Sequence, residues 1–328
     1  MGVVARWRDR LPVTSATPDL TLGEGATPLI AAPVLSAELD AHVFLKIEGA
    51  NPTGSFKDRG MAVAMACAVG RGARAVVCAS TGNTAASAAA YAARAGIEAL
   101  VIHPAGAVAG AKLAQTRVVG AAVIPIEGSF DDALRLAQEA AGHGYIVVNS
   151  GYNPDRIAGQ RTAVYEIVET LGSAPDILAL PYGGGGNTVA YRSGFEVEGV
   201  APRIVSGEAR ERQTTIATAI RIGEPVHASD VADANAEVVT LSDDEILAAW
   251  TDLARREGVF CEPASAAGLA ALRRSRPPAG STVVCVLTGS GLKDIASVDA
   301  VVPPLPSCVA QLDAVLEAAQ AAGDARNA

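Results

Sequence analysis

The chain has 328 residues, of which 50% are apolar and 19% charged; this excludes a disordered chain and suits one large or two modest domains. Aromatics are only 4%, so the core must come from Ala, Val, Leu and Ile. A net charge of −9 with no basic run argues against nucleic acid or an anionic membrane as partner.

The elements follow in chain order. Residues 1–8 lack the apolar core of a signal peptide, and no run of 18 apolar residues follows, so a cytoplasmic protein is expected. Short apolar runs at 42–48, 75–79, 98–102, 122–126 and 145–148 read as strands. Between them, 61–69, 84–95, 108–118 and 130–141 have helical spacing, with Gly72, Gly96, Gly120 and Gly142 where a cap or turn falls. After a loop at 149–155 the rhythm resumes. Strands are expected at 177–180, 203–206, 237–240 and 282–287, and helices at 157–171, 188–195, 243–256 and 264–273. Ser242 and Glu245 form a capping box. Residues 310–321 read as an amphipathic helix docking through Leu312, Val315 and Leu316, with 322–328 frayed. Cys67, Cys78, Cys261, Cys285 and Cys308 are odd in number, without a C-x-x-C pair, and read as reduced and mostly buried.

Strand–helix alternation predicts an α/β fold of two open, mostly parallel twisted-sheet domains with helices on both faces, joined near 149–156. Ligands of such sheets bind in loops after the carboxyl ends of strands, which singles out residues 49–57, 80–84, 182–187 and 288–291.

The first loop ends in Ser55-Phe56-Lys57-Asp58. Ser55 is expected to cap the following helix, placing Lys57 at a helix start, where the positive dipole end disfavours the charged amine. A lysine kept partly neutral can form a Schiff base; most lysines are simply solvated. Ser80, Thr81, Asn83 and Thr84 open an Ala-rich helix, where hydroxyls and free N–H groups suit a carboxylate or phosphate. Gly183, Gly184, Gly185 and Gly186 precede Asn187; glycines there let the backbone curl around one phosphate. Their spacing fits neither the dinucleotide fingerprint nor a P-loop. Thr288 ends a buried strand with a small hydroxyl. A lysine, a phosphate cup and a partner for a ring nitrogen make the set pyridoxal phosphate needs. His42, His103, His143 and His227 lack ligand spacing, so no metal is expected.

These residues resemble the threonine synthase family, pyridoxal-phosphate enzymes of fold type II, over roughly residues 22–298. The stretches carrying the resemblance are Gly23-Glu24-Gly25-Ala26-Thr27-Pro28-Leu29, residues 51–60, 79–84, 216–223 and 288–294, and Glu262-Pro263-Ala264-Ser265-Ala266-Ala267. The resemblance implies that Lys57 forms the Schiff base and moves protons, with Phe56 beside it. Asn83 then lies against the pyridoxal 3-oxygen, Gly183 to Gly186 and Asn187 hold the cofactor phosphate, and Thr288 meets the pyridine nitrogen. Ser80, Thr81 and Thr84 take the substrate carboxylate, and Asn149, Ser150 and Arg156 its phosphate. The implied reaction converts O-phospho-L-homoserine and water to L-threonine and phosphate. The stretch 149–156 is one residue longer than the family pattern, the stretch 205–215 shorter, and the glycine loop resembles that of dehydratases. The other readings are a related lyase, such as a serine/threonine dehydratase or a specialised-metabolism enzyme with a different substrate, and an inactive homologue that binds a ligand or partner. Expected domains are 1–59 with 151–308 (larger, cofactor-binding), 60–150 (smaller, mobile) and 309–328 (C-terminal helix and tail), in a homodimer.

Overall fold

The computed structural model describes residues 1–106, 110–302 and 306–327. They fall into two compact units, Met1–Asp294 and Ile295–Ala328.

The chain opens on α1 (Val3–Arg6), then β1 (Leu29–Ala31), α2 (Pro33–Leu39), β2 (His42–Ile47) and α3 (Lys57–Gly70). Next come β3 (Ala75–Ala79), α4 (Asn83–Ala95), β4 (Glu98–Pro104), α5 (Gly110–Val118), β5 (Ala122–Ile126), α6 (Phe130–Ala141) and β6 (Ile146–Val147). The first two residues of the helix expected at 108–118 lie outside the described residues. The chain continues through α7 (Pro154–Gln160), α8 (Thr162–Leu171), β7 (Ile177–Pro181), α9 (Gly186–Val197), β8 (Arg203–Ala209) and α10 (Ala228–Asp233). It closes with β9 (Glu237–Leu241), α11 (Asp243–Arg256), α12 (Pro263–Ser275), β10 (Thr282–Leu287) and α13 (Leu312–Asn327).

Among the described residues there are two sheets, one of six strands in the order β1-β2-β10-β7-β8-β9 and one of four in the order β5-β4-β3-β6. All pairings are parallel except β1 with β2. The parallel central strands β3 and β7 are buried along their whole length, because helices cover both faces. Around β7 pack Ile167, Leu178, Leu180, Phe195 and Val286, and around β3 pack Met61, Met65, Val76, Tyr91 and Val101. Four cysteines are buried and Cys308 is exposed.

The structure departs from the sequence reading in several places. Strand β1 is three residues long, too short to show an alternation. The expected helix 157–171 starts earlier, with Pro154 in its first turn, and breaks at Arg161 into α7 and α8. Gly142 is right-handed, at φ −65°; the left-handed turn falls at Gly144. In α13, Leu312, Val315 and Leu316 are 72%, 48% and 57% exposed. That helix also continues through Asn327 where fraying was expected; its alanines have high helix propensity.

Candidate active site

The loop after β2 is pinned before it reaches Lys57. The buried Asp58 carboxylate accepts from Thr53 N (2.6 Å), Thr53 Oγ1 (2.6 Å) and Ser87 Oγ (2.6 Å). Phe56 N donates to Thr288 O at 2.9 Å, and Ser55 pairs as an isolated bridge with Gly289. Ser55 therefore does not cap α3: the N-cap is Phe56, already helical at φ −55°, with no side-chain cap. The Ser55 hydroxyl is instead buried without a partner.

Lys57 is the first residue of α3. It is half-buried, and its Nζ lies 4.3 Å from the centroid of the Phe56 ring. Among the described residues it makes no salt bridge. Desolvation and then the Arg156 charge lower its pKa to about 7, with Glu262 opposing. The neighbourhood of Lys57 and Arg156 comes from a close helix crossing. A Cβ on Gly60 of α3 would lie 2.6 Å from Arg156 O, and one on Gly159 of α7 would collide with Arg59 O. Only glycine allows that approach. Each functional residue sits three positions before its crossing glycine, so the two meet.

Arg156 is buried; NH1 donates to Val148 O at 2.8 Å, while Nε and NH2 have no partner. Desolvation lowers its pKa to about 10. Asn149 spends its carbonyl on Ala79 N (3.0 Å) and one amide hydrogen on Ala79 O (2.9 Å), tying its loop to the end of β3. Just beyond, Ser80 Oγ accepts from Gly82 N at 3.0 Å, and Ser80, Thr81 and Thr84 are half-buried around the start of α4. The Gly82 N-cap makes no side-chain bond, so the helix start is open to an anion.

Asn83 donates from Nδ2 to Glu262 Oε2 at 2.8 Å, and its Oδ1 is buried and unpartnered. Glu262 also pairs with Lys112 Nζ at 2.7 Å. Thr288 Oγ1 lies 3.0 Å from Ser265 Oγ, which accepts from Gly289 N at 2.9 Å. In the glycine loop Gly185 is left-handed at φ +85° and leads into α9 at Gly186. Both polar side-chain atoms of Asn187 are buried without partners. Ser150 reaches this loop: a Cβ on Gly186 would lie 3.4 Å from Ser150 Oγ and from His227 Nε2.

The loops containing Lys57, Thr288 and Gly183 follow the neighbouring parallel strands β2, β10 and β7. Strands about 4.8 Å apart keep these loop bases within roughly 10 Å of one another. Sequence reasoning missed Glu262, Lys112, Ser265 and His227 as neighbours of this site. Pro263 in the first turn of α12 marks Glu262 as a helix-start residue; nothing in the sequence sets His227 apart.

A family model described as pyridoxal-phosphate dependent enzyme matches residues 20–289. The threonine synthase of Mycobacterium leprae (strain TN) is 50% identical over 320 residues, covering 89% of each chain. That of Halalkalibacterium halodurans is 48% identical over 318 residues, covering 89% of this chain and 90% of that one. A solved pyridoxal 5′-phosphate-dependent aspartate racemase superposes with TM-score 0.76 at 23% identity, over 88% of this chain and 98% of that one; it shows the fold. The chain belongs to the pyridoxal-phosphate dependent enzymes and, within them, to the threonine synthase family.

The residues present fit pyridoxal phosphate. Buried polar atoms without protein partners gather on these loops: Ser55 Oγ, Asn83 Oδ1, both Asn187 atoms and His227 Nε2. Unpartnered polar atoms also occur elsewhere, at Tyr165 and Tyr191 among others; the fit rests on this set belonging to or lying against the loops that carry Lys57 and the glycine run, where a polar ligand completes the bonding.

Proposed function

We propose that this protein is a threonine synthase, converting O-phospho-L-homoserine and water to L-threonine and phosphate. The observation that carries the reading is Lys57, a helix-start amine lowered to about 7 beside the partnerless guanidinium edge of Arg156. Lys57, Phe56, Asn83, Gly183 to Gly186, Asn187 and Thr288 would hold pyridoxal phosphate, which would supply there the electron sink that makes substrate Cα and then Cβ acidic.

The chain's own residues do the rest. Lys57 Nζ, its pKa lowered to about 7, takes the Cα proton and returns protons along the carbon chain. Ser80, Thr81 and Thr84, at the open start of α4, hold the substrate carboxylate. Arg156 offers Nε and NH2 as a two-nitrogen edge for the substrate phosphate, which satisfies a buried cation otherwise short of partners. Ser150 adds a hydroxyl, and Asn149 keeps that loop in register with Ala79. Thr288 would offer the ring nitrogen a neutral hydroxyl, which enforces no proton on it. Residues 60–150, as a smaller domain moving against 1–59 and 151–308, exclude water until phosphate has left.

The reading includes a cytoplasmic homodimer: five free cysteines, four of them buried, suit a reducing compartment, and light scattering tests the dimer. Phosphate release from O-phosphohomoserine, measured beside 2-oxo acid formation from threonine, tests the activity. Release with formation of threonine is expected; 2-oxo acid without phosphate release overturns the assignment in favour of a dehydratase.

A further inference from the structure

We propose that His227 is a phosphate-binding residue of this site, its Nε2 hydrogen-bonding a phosphate monoester seated on the 183–187 loop. The inference rests on the reading of that loop as a phosphate cradle. His227 is locked onto the loop by its backbone, whose N–H donates to Gly184 O at 3.1 Å. Its ring lies against the start of α9: a Cβ on Gly186 would be 3.4 Å from Cδ2 and from Nε2. Nδ1 is paired with Asp230 Oδ2 at 2.9 Å, so the carboxylate orients the ring and leaves Nε2 as the working edge.

That edge has no partner among the described residues, although His227 is only 8% exposed. Leaving a buried polar atom unpaired is costly, and this one lies where a ligand seated on the glycine loop completes it. The neighbours identify the ligand as an anion. The ring faces the first residue of a 12-residue helix, whose N–H groups and dipole attract negative charge. Asn187, next in the chain, is also buried with both polar atoms unpartnered. Ser150 Oγ lies 3.4 Å from the same Gly186 position. His227 thus stands between the glycine loop and the 150–152 turn, against which Val226 is packed at Gly151. With Nδ1–H given to Asp230, a monoanionic phosphate donates its own proton to the bare Nε2, whereas a dianionic one accepts from Nε2 of a ring that carries both protons; both give one N···O hydrogen bond.

Two phosphates have the required chemistry, the cofactor's and the substrate's, and two arms of one experiment separate them. In the first, cofactor-free protein is titrated with pyridoxal phosphate and with pyridoxal, which lacks the phosphate. In the second, inorganic phosphate is titrated into the cofactor-loaded protein. If the cofactor's phosphate is the partner, His227→Ala weakens pyridoxal phosphate about tenfold and leaves pyridoxal unchanged. If the substrate's is, the cofactor preference stays and inorganic phosphate binding falls about tenfold. His227→Gln, keeping an N–H at similar reach, is expected to recover most of the loss in either arm. Should His227→Ala not fold, His227→Gln and Asp230→Asn decide: the first near wild type, the second weakened because the ring loses its orienting carboxylate. Equal weakening of pyridoxal and pyridoxal phosphate, or no change in either arm, overturns the proposal. A wild-type protein active on O-phosphohomoserine with unchanged His227 variants sinks this inference alone. An inactive one whose His227→Ala variant loses its preference for the phosphate form sinks the threonine synthase reading and leaves this inference standing.

Discussion

Lys57 gains its reactivity from where it stands rather than from what it touches. A half-buried amine with no salt bridge among the described residues is cheaper to keep neutral than charged, and the neighbouring guanidinium pushes the same way, against the weaker pull of Glu262. Lys57→Ala is expected to abolish both the visible absorbance of the bound cofactor and turnover, with far-UV circular dichroism unchanged. Because the neutral amine reacts, cofactor uptake by the stripped protein should rise as pH increases through about 7. Arg156→Gln removes a positive neighbour, so it should raise the amine's pKa and move that rise to higher pH. A profile unmoved by this substitution would show that Arg156 does not act on Lys57. Lys57 was legible as a candidate from its own loop. Its partner was legible only through family likeness, since Arg156 lies 99 positions further on.

At the scale of elements, the site depends on how close α3 and α7 approach. Gly60 and Gly159 let the two backbones touch, with a Gly60 Cβ position only 2.6 Å from Arg156 O. Gly159→Ala should force the helices apart and cost about 1–3 kcal/mol, read as a lower urea midpoint at unchanged slope. It should also weaken cofactor binding, because Lys57 and Arg156 ride on those helices. The sequence shows both helices by their spacing but not the crossing: nothing local says which glycine meets which backbone. The same limit explains Ser55. Its hydroxyl suits a cap, yet pairing with Gly289 commits the backbone to a neighbouring strand end, and tertiary pairing overrides the local preference.

Across the molecule, a buried ionic cluster ties the sheet to the helix that bears Lys57. Arg59 Nε meets Glu48 Oε2 at 2.7 Å, Arg59 NH2 meets Glu166 Oε2 at 2.7 Å, and Lys46 Nζ meets the same oxygen at 2.8 Å. Burial would raise the Glu166 pKa, but Arg59 and Lys46 outweigh it and bring it from 4.5 down to about 2. A carboxylate held below its unfolded value stabilises the fold above that value and loses the contribution as pH falls. Thermal stability should therefore drop as pH goes from 4.5 towards 2. Glu166→Gln should flatten that drop and cost about 3–5 kcal/mol near neutral pH, since it leaves buried cations under-paired. A melting temperature unchanged by Glu166→Gln would refute the role of the cluster. A second long-range tie, Lys112 of α5 with Glu262 before α12, joins elements flanking different sheets beside Asn83.

The amino-acid order alone was enough to determine the α/β class, every strand but β1, the helices other than α1, α2 and α10 (with α7 and α8 read as one), and the loops that carry chemistry. Hydrophobic period, caps and glycine runs are local signals, written within a turn or two of the element they specify. The tertiary structure alone decided that Lys57 sits beside Arg156, that Asn83 answers to Glu262, and that His227 faces Gly186. Those pairings join residues between 41 and 179 positions apart, and only the packing of close-crossing helices and adjacent parallel strands makes them neighbours.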